Sequence, residues 1–248
     1  MGDRGHDLNE RDGRIVGTIK KKSGRGFIAA GAVGLTATGI GVALFSGSMN
    51  PEAAPQPGTE TVQVDSAGMK VAPEPDDEFR DQECAAPNVD APNMEPSMVS
   101  APETGIESLV HPSDDLSLPD APDGMIDTNS APLGATEGHT VTAGHVDYAP
   151  GVLSEQGGEL SPWGRAHKLQ ACDSVFASDE SGNVYHYQVT DKFVVDQNEL
   201  ENSGTFDQDG PHSLVMVTCS GKSVEDAGRE FQFNYEHNLI IIAEQVNP

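Results

Sequence analysis

The sequence predicts a mainly β domain, a closed barrel with short helices, preceded by one transmembrane helix and a disordered spacer. Three observations predict it. Residues 105–248 carry several strand-length apolar or alternating runs separated by turn signals. Gly26 to Phe45 is uncharged and apolar over helix-spanning length. Ser46 to Thr104 is dominated by Pro, Glu, Asp, Ala and Gln and has neither a helical nor a strand period. The expected organisation is a basic cytoplasmic tail (1–25), a transmembrane signal anchor (26–46), an acidic Pro-rich disordered spacer (47–104) and one folded domain (105–248).

The apolar stretch is rich in Gly and about long enough to cross a hydrocarbon core of roughly 30 Å. Seven basic and four acidic residues precede position 26. This basic flank predicts a cytoplasmic N-terminus, so the chain is expected at the cell membrane, single-pass, with the domain extracytoplasmic. A cleaved signal peptide is the rival reading. It fits less well because the stretch exceeds the usual apolar core of about 7 to 15 residues and no A-x-A site follows. With 14 Lys+Arg against 40 Asp+Glu the net charge is -26. That argues against a nucleic-acid partner, since neutralising phosphates needs clustered cations.

Within 105–248, Gly138 to His145 reads as a strand. Asp173 to Ser178 and the period-two run Val184 to Thr190 read as a hairpin closed by Asp179-Glu180-Ser181-Gly182-Asn183. Further strands are expected at Lys192 to Val195, Ser213 to Thr218 and Asn238 to Glu244. Short helical turns fit Val152 to Gln156 and Ser161 to Leu169. Short strands with turns between them predict a closed or partly closed antiparallel barrel.

Two segments end in a reactive side chain. Leu214-Val215-Met216-Val217-Thr218-Cys219 delivers a thiol, and Thr142-Ala143-Gly144-His145-Val146-Asp147-Tyr148 delivers an imidazole. A thiol and an imidazole at the ends of two strands form a nucleophile and its proton partner. Together with Ser130 to Val141 upstream, Leu169 to Ser178 and Asn238 to Ala243, these segments resemble the sortase family, most closely the actinobacterial class F type, then class E. The family usually has Gly-Asp where this chain has Cys172-Asp173.

The resemblance implies a cysteine transpeptidase on a sortase-like β-barrel, with Cys219 as nucleophile and His145 as proton partner. It implies cleavage of a Thr-Gly bond in a sorting signal through a thioacyl-enzyme and transfer of the protein to a cell-wall amine. The partners implied are sorting-signal-bearing surface proteins and a peptidoglycan or pilin amine acceptor; no cofactor and no metal is implied. The family also places an arginine on or just before the last strand, to serve substrate and oxyanion. Here Glu236, His237 and Asn238 occupy that stretch, and Arg229 is the candidate with plausible reach. Thr218 and Asn238 are expected to bind substrate. A chain short of this arginine could instead be a catalytically impaired sortase-like binding or scaffolding module. An L,D-transpeptidase fits less well, because Val217-Thr218-Cys219-Ser220-Gly221 lacks a His shortly before the Cys.

Other candidates have plainer explanations. His139 reads as a strand-entry side chain, and Asp147 either orients His145 or shapes a turn. Glu199, Glu201, Asp207 and Asp209 read as a solvated acidic face without the oxygen spacing of a Ca²⁺ loop. Ala101-Pro102-Glu103-Thr104-Gly105 looks like a degenerate sorting signal but lacks the apolar helix and basic tail that would follow one. Three cysteines leave two arrangements open. Either Cys84 bridges Cys172 and leaves Cys219 as a thiol, or all three are thiols, which is favoured if Cys84 lies in a flexible spacer.

Overall fold

A computed structural model describes residues 57–87, 89–224 and 235–246. The expected basic tail and transmembrane segment lie outside the described residues, and so does Arg229. Ten strands are described: β1 (Gln63–Val64), β2 (Lys70–Ala72), β3 (Met98–Ala101), β4 (Ile106–Ser113), β5 (Gly124–Asp127), β6 (His139–Gly144), β7 (Ser174–Ser178), β8 (Val184–Asp196), β9 (Ser213–Ser223) and β10 (Tyr235–Gln245). Eight of them close into a barrel in the order β9-β10-β8-β7-β3-β4-β5-β6, with β6 returning to β9.

The apolar run of β9 is continuous because this strand is buried on both faces. Leu214 and Met216 join the inner core with Leu239, Ile241, Tyr187 and Trp163. Val215 and Val217 join a second cluster on the other face with Val141, Phe193 and Ile240, covered by Leu116, Leu118, Leu200 and Phe206. A strand walled on both sides shows no period of two.

The barrel differs from the expected all-antiparallel arrangement at two pairings: β4 with β5 and β6 with β9 are parallel. Strand β6 is separated from β9 by the β7–β8 hairpin, and such a crossover lets both run in the same direction. The hairpin itself is as expected, with β7 antiparallel to β8. Strand β8 runs on to Asp196 and takes in Lys192 to Val195, which were expected as a separate strand. The turn expected over 161–169 is a 3₁₀ helix at Trp163–Lys168, whereas 152–156 forms turns only. A second 3₁₀ helix, Gln197–Asn202, was not anticipated.

Residues 57–104, expected as spacer, depart most from the sequence reading. Strand β2 pairs with β9 at Val71↔Lys222 and Ala72↔Gly221. Phe79 bridges Lys192, and Cys84 is disulfide-bonded to Cys172 with Cα atoms 5.4 Å apart. Strand β3 is a wall of the barrel, between β4 and β7. These contacts leave no periodic trace, because each strand is two to four residues long and its partner is remote in sequence. Charge holds the segment down as well. The fully buried Lys192 ammonium donates to Asp77 and to the Leu169 carbonyl, each at 2.8 Å. Glu60 accepts from Lys168 at 2.8 Å.

Candidate active site

His145 follows the last residue of β6, and Cys219 lies within β9. The parallel register ends with Thr142 paired to Met216 and Ala143 to Val217, and carried on two residues it puts His145 at the level of Cys219. Two hydroxyls fix that register. Thr142 donates to the Val215 carbonyl and Thr218 to the Gly144 carbonyl, both at 2.9 Å. The Thr residues of both motifs thus hold the two strands together, and the hydroxyl proton of Thr218 is spent within the wall.

Gly144 is there for close approach. A Cβ on it would lie 2.2 Å from the indole of Trp163, which is fully buried and donates to Ser108 Oγ at 2.9 Å. Ser161, one residue before the Pro162 that caps this 3₁₀ helix, donates its hydroxyl to the His145 carbonyl. The histidine backbone is therefore held by a β-strand before it and a 3₁₀ helix behind it.

Cys219 retains partial exposure and packs against Val62, Ala72, Val146, Leu160 and Tyr235. Burial pushes its thiol up to about 12. The charge of Asp147 adds to this, and a hydrogen bond with the Tyr235 backbone opposes it. Burial lowers the pKa of His145, against the pull of Asp147 and Asp120. Desolvation disfavours the charged form of each group. Burial thus favours the neutral thiol of Cys219 and the neutral imidazole of His145.

Asp147 is 2% exposed, and its Oδ2 accepts from Lys70 Nζ at 2.8 Å and from Tyr235 Oη at 3.0 Å. Neither partner was singled out in the sequence. A signal for Lys70 exists, since it and Arg80 are the only basic residues between 47 and 104. The signal for Tyr235 is weaker, an aromatic at the start of the last strand.

On β10, Asn238 is buried and stands directly opposite Cys219, and His237 stands opposite Ser220. Two arginines are accounted for elsewhere. Arg165 is buried against Glu60 and donates to the Gly105 carbonyl at 2.6 Å, while Arg80 lies over the Phe193 ring. His139 is spent on the Thr205 carbonyl at 3.3 Å. Glu199, Glu201, Asp207 and Asp209 are exposed. Among the described residues, one group could hold a cation: Glu74, Glu236 and His237, with ligand atoms within 4.8 Å of one another. Its imidazole already lies 3.3 Å from carboxylates on both sides, Glu74 and Asp196.

A thiol and an imidazole carried by neighbouring strands of a closed β-barrel are the two groups that acyl transfer through a cysteine uses. The Sortase domain family matches residues 99–246, more than half of the chain. The chain belongs to the sortase family, whose members are cysteine transpeptidases acting on sorting-signal-bearing proteins and amine acceptors. No curated protein matches the sequence. Similar solved structures include sortase C-1 from Actinomyces oris, with 17% identity, 61% of this chain and 73% of that chain covered and a TM-score of 0.44. Sortase A from Corynebacterium diphtheriae has 17% identity, covers 61% of this chain and 60% of its own, and has a TM-score of 0.42. The SrtA sortase from Actinomyces oris has 18% identity, with 68% and 88% covered and a TM-score of 0.42.

Proposed function

We propose that this sortase cleaves a Thr-Gly bond in a sorting signal and transfers the protein to a cell-wall amine, with Cys219 as nucleophile and His145 as proton carrier. The level placement of the two groups by the β6–β9 register carries the reading. The Cys219 sulfur forms a bond to the Thr carbonyl carbon as its proton passes to His145. The C–N bond then breaks, and His145 returns the proton to the departing Gly nitrogen. An acceptor amine attacks the thioester, loses a proton to His145 and releases the thiol. Because the resting groups are neutral, the thiol gives up its proton to His145 only as the sulfur attacks the carbonyl carbon.

Arg229 is the proposed donor to the oxyanion, since Arg80 and Arg165 are committed elsewhere. Asn238, opposite the nucleophile, would add one hydrogen bond to the substrate. Thr218 would contribute through the strand it fixes. We assign the acceptor as a peptidoglycan or pilin amine and the location as the outer side of the cell membrane, anchored by residues 26–46. The subtype is class F or class E. The experiment is transpeptidation by the full chain of peptides bearing Leu-Pro-x-Thr-Gly or Leu-Ala-x-Thr-Gly. His145→Ala is expected to lose about 10²- to 10⁴-fold, the range for removal of an acid-base group; an unchanged rate would remove His145 from the mechanism.

One observation favours a second reading, a catalytically impaired binding module: Asn238, not an arginine, faces Cys219 across the strands. Arg229→Ala separates the two. A loss of about 10²-fold or more marks Arg229 as the oxyanion donor, and no product from either Arg229→Ala or the parent chain favours the module.

A further inference from the structure

The segment ahead of the barrel reaches the site with one charge. Strand β2 is hydrogen-bonded to β9 two residues beyond Cys219, and the residue that opens β2 is Lys70. Its ammonium and the Tyr235 hydroxyl converge on the same oxygen of Asp147. Burying a carboxylate so deeply is costly unless a cation or hydrogen-bond donors meet it. Here the donors come from β2 and β10, on either side of the strand that bears the nucleophile.

We propose that Lys70 is a positioning residue for the Cys219–His145 pair, acting by holding and neutralising the Asp147 carboxylate beside them. This rests on the reading of Cys219 as the nucleophile. Asp147 acts on both reacting groups: it opposes thiolate formation at Cys219 and favours the charged form of His145. Asp120 also acts on His145, and Glu159 acts on Tyr235. Among the described residues, Lys70 is the cation paired with Asp147. It offsets the Asp147 charge and, with Tyr235, fixes its direction.

The test is the rate of Cys219 alkylation by a small neutral electrophile in the full chain at fixed pH between about 7 and 9, which needs no sorting substrate. Lys70→Met leaves the Asp147 charge uncompensated and slows alkylation about tenfold. Lys70→Arg retains the cation and restores the rate. Asp147→Asn removes the charge and speeds alkylation, and Lys70→Met adds no further change in that background. Equal rates for Lys70→Met and the parent would overturn the proposal. So would an equal Lys70→Met effect with and without Asp147. A merely structural lysine would lower the melting temperature without changing the rate. If Cys219 alkylates with the expected changes in rate yet no sorting peptide reacts, Lys70 keeps its role and the transpeptidase reading fails.

Discussion

The disulfide between Cys84 and Cys172 is the strongest single tie between residues 57–104 and the barrel, and its contribution can be worked out. The cysteines are 88 residues apart. Loop-closure entropy for a ring of that size gives about 4.6 kcal/mol at 25 °C, and bridges of this kind typically deliver about 2 to 4. Cys172 also carries a cost. Its φ is +71°, in the left-handed region, where a side chain costs about 1 kcal/mol or more relative to glycine. This is the position at which the resemblance expects glycine. Urea unfolding of the full chain measures both effects. Cys84→Ala/Cys172→Ala should lose about 3 kcal/mol, and Cys84→Ala/Cys172→Gly should recover up to about 1 kcal/mol of that. A double alanine variant within about 0.5 kcal/mol of the parent would refute the bridge as a stabilising tie. A glycine variant less stable than the alanine one would refute the backbone argument.

Three further outcomes are expected. Gly144→Ala drives a methyl into the Trp163 indole; overpacking of this kind costs about 1 to 3 kcal/mol. It should also displace His145, so thermal melting and transpeptidation should fall together. Glu60 is raised by burial but held down at about 2 by Lys168 and backbone N–H groups, from an ordinary value of 4.5. A depressed folded value means that its stabilisation is complete above about pH 4.5 and is lost as pH falls toward 2. With Lys168 partly exposed this amounts to about 2 kcal/mol, and urea midpoints of Glu60→Gln should depend less on pH across that window. The Cys219 thiol, held near 12, should alkylate slowly at pH 7 and faster up to at least pH 10 in the absence of substrate; a plateau below pH 7 would contradict the neutral pair.

The parts legible in the sequence are those whose signals are local. The β7–β8 hairpin was readable because Asp179 caps its own turn, accepting from the backbone N–H groups of Ser181 and Asn183 at 2.9 Å. The strands bearing His145 and Cys219 were readable as motifs that end in reactive side chains. What was not readable is pairing across long separations. Nothing near Lys70 indicates that it meets Asp147, 77 residues away. The parallel β6–β9 contact likewise depends on barrel closure rather than on either strand. The bulge where β9 gains a residue on β10 was also hidden. It is marked by Gly221 at φ +78°, where a Cβ would lie 2.7 Å from His237 Nδ1. Acidic, Pro-rich composition suggested a spacer for 57–104, because composition reports the absence of a self-sufficient core and not the presence of a neighbouring one.

The position of β1, β2 and β3 also sets the protein to be used, since a fragment beginning at residue 105 would remove Lys70, Cys84 and a barrel wall. On the proposed reading, Cys219 forms an acyl bond with a Thr-Gly sorting signal. Intact mass of the full chain after incubation with Leu-Pro-x-Thr-Gly or Leu-Ala-x-Thr-Gly peptides tests it most directly, with Cys219→Ala as control and an amine acceptor added second. The expected species is an adduct of the peptide truncated after Thr, absent from Cys219→Ala and discharged by the amine. No adduct with either peptide from a chain whose Cys219 alkylates normally would contradict it.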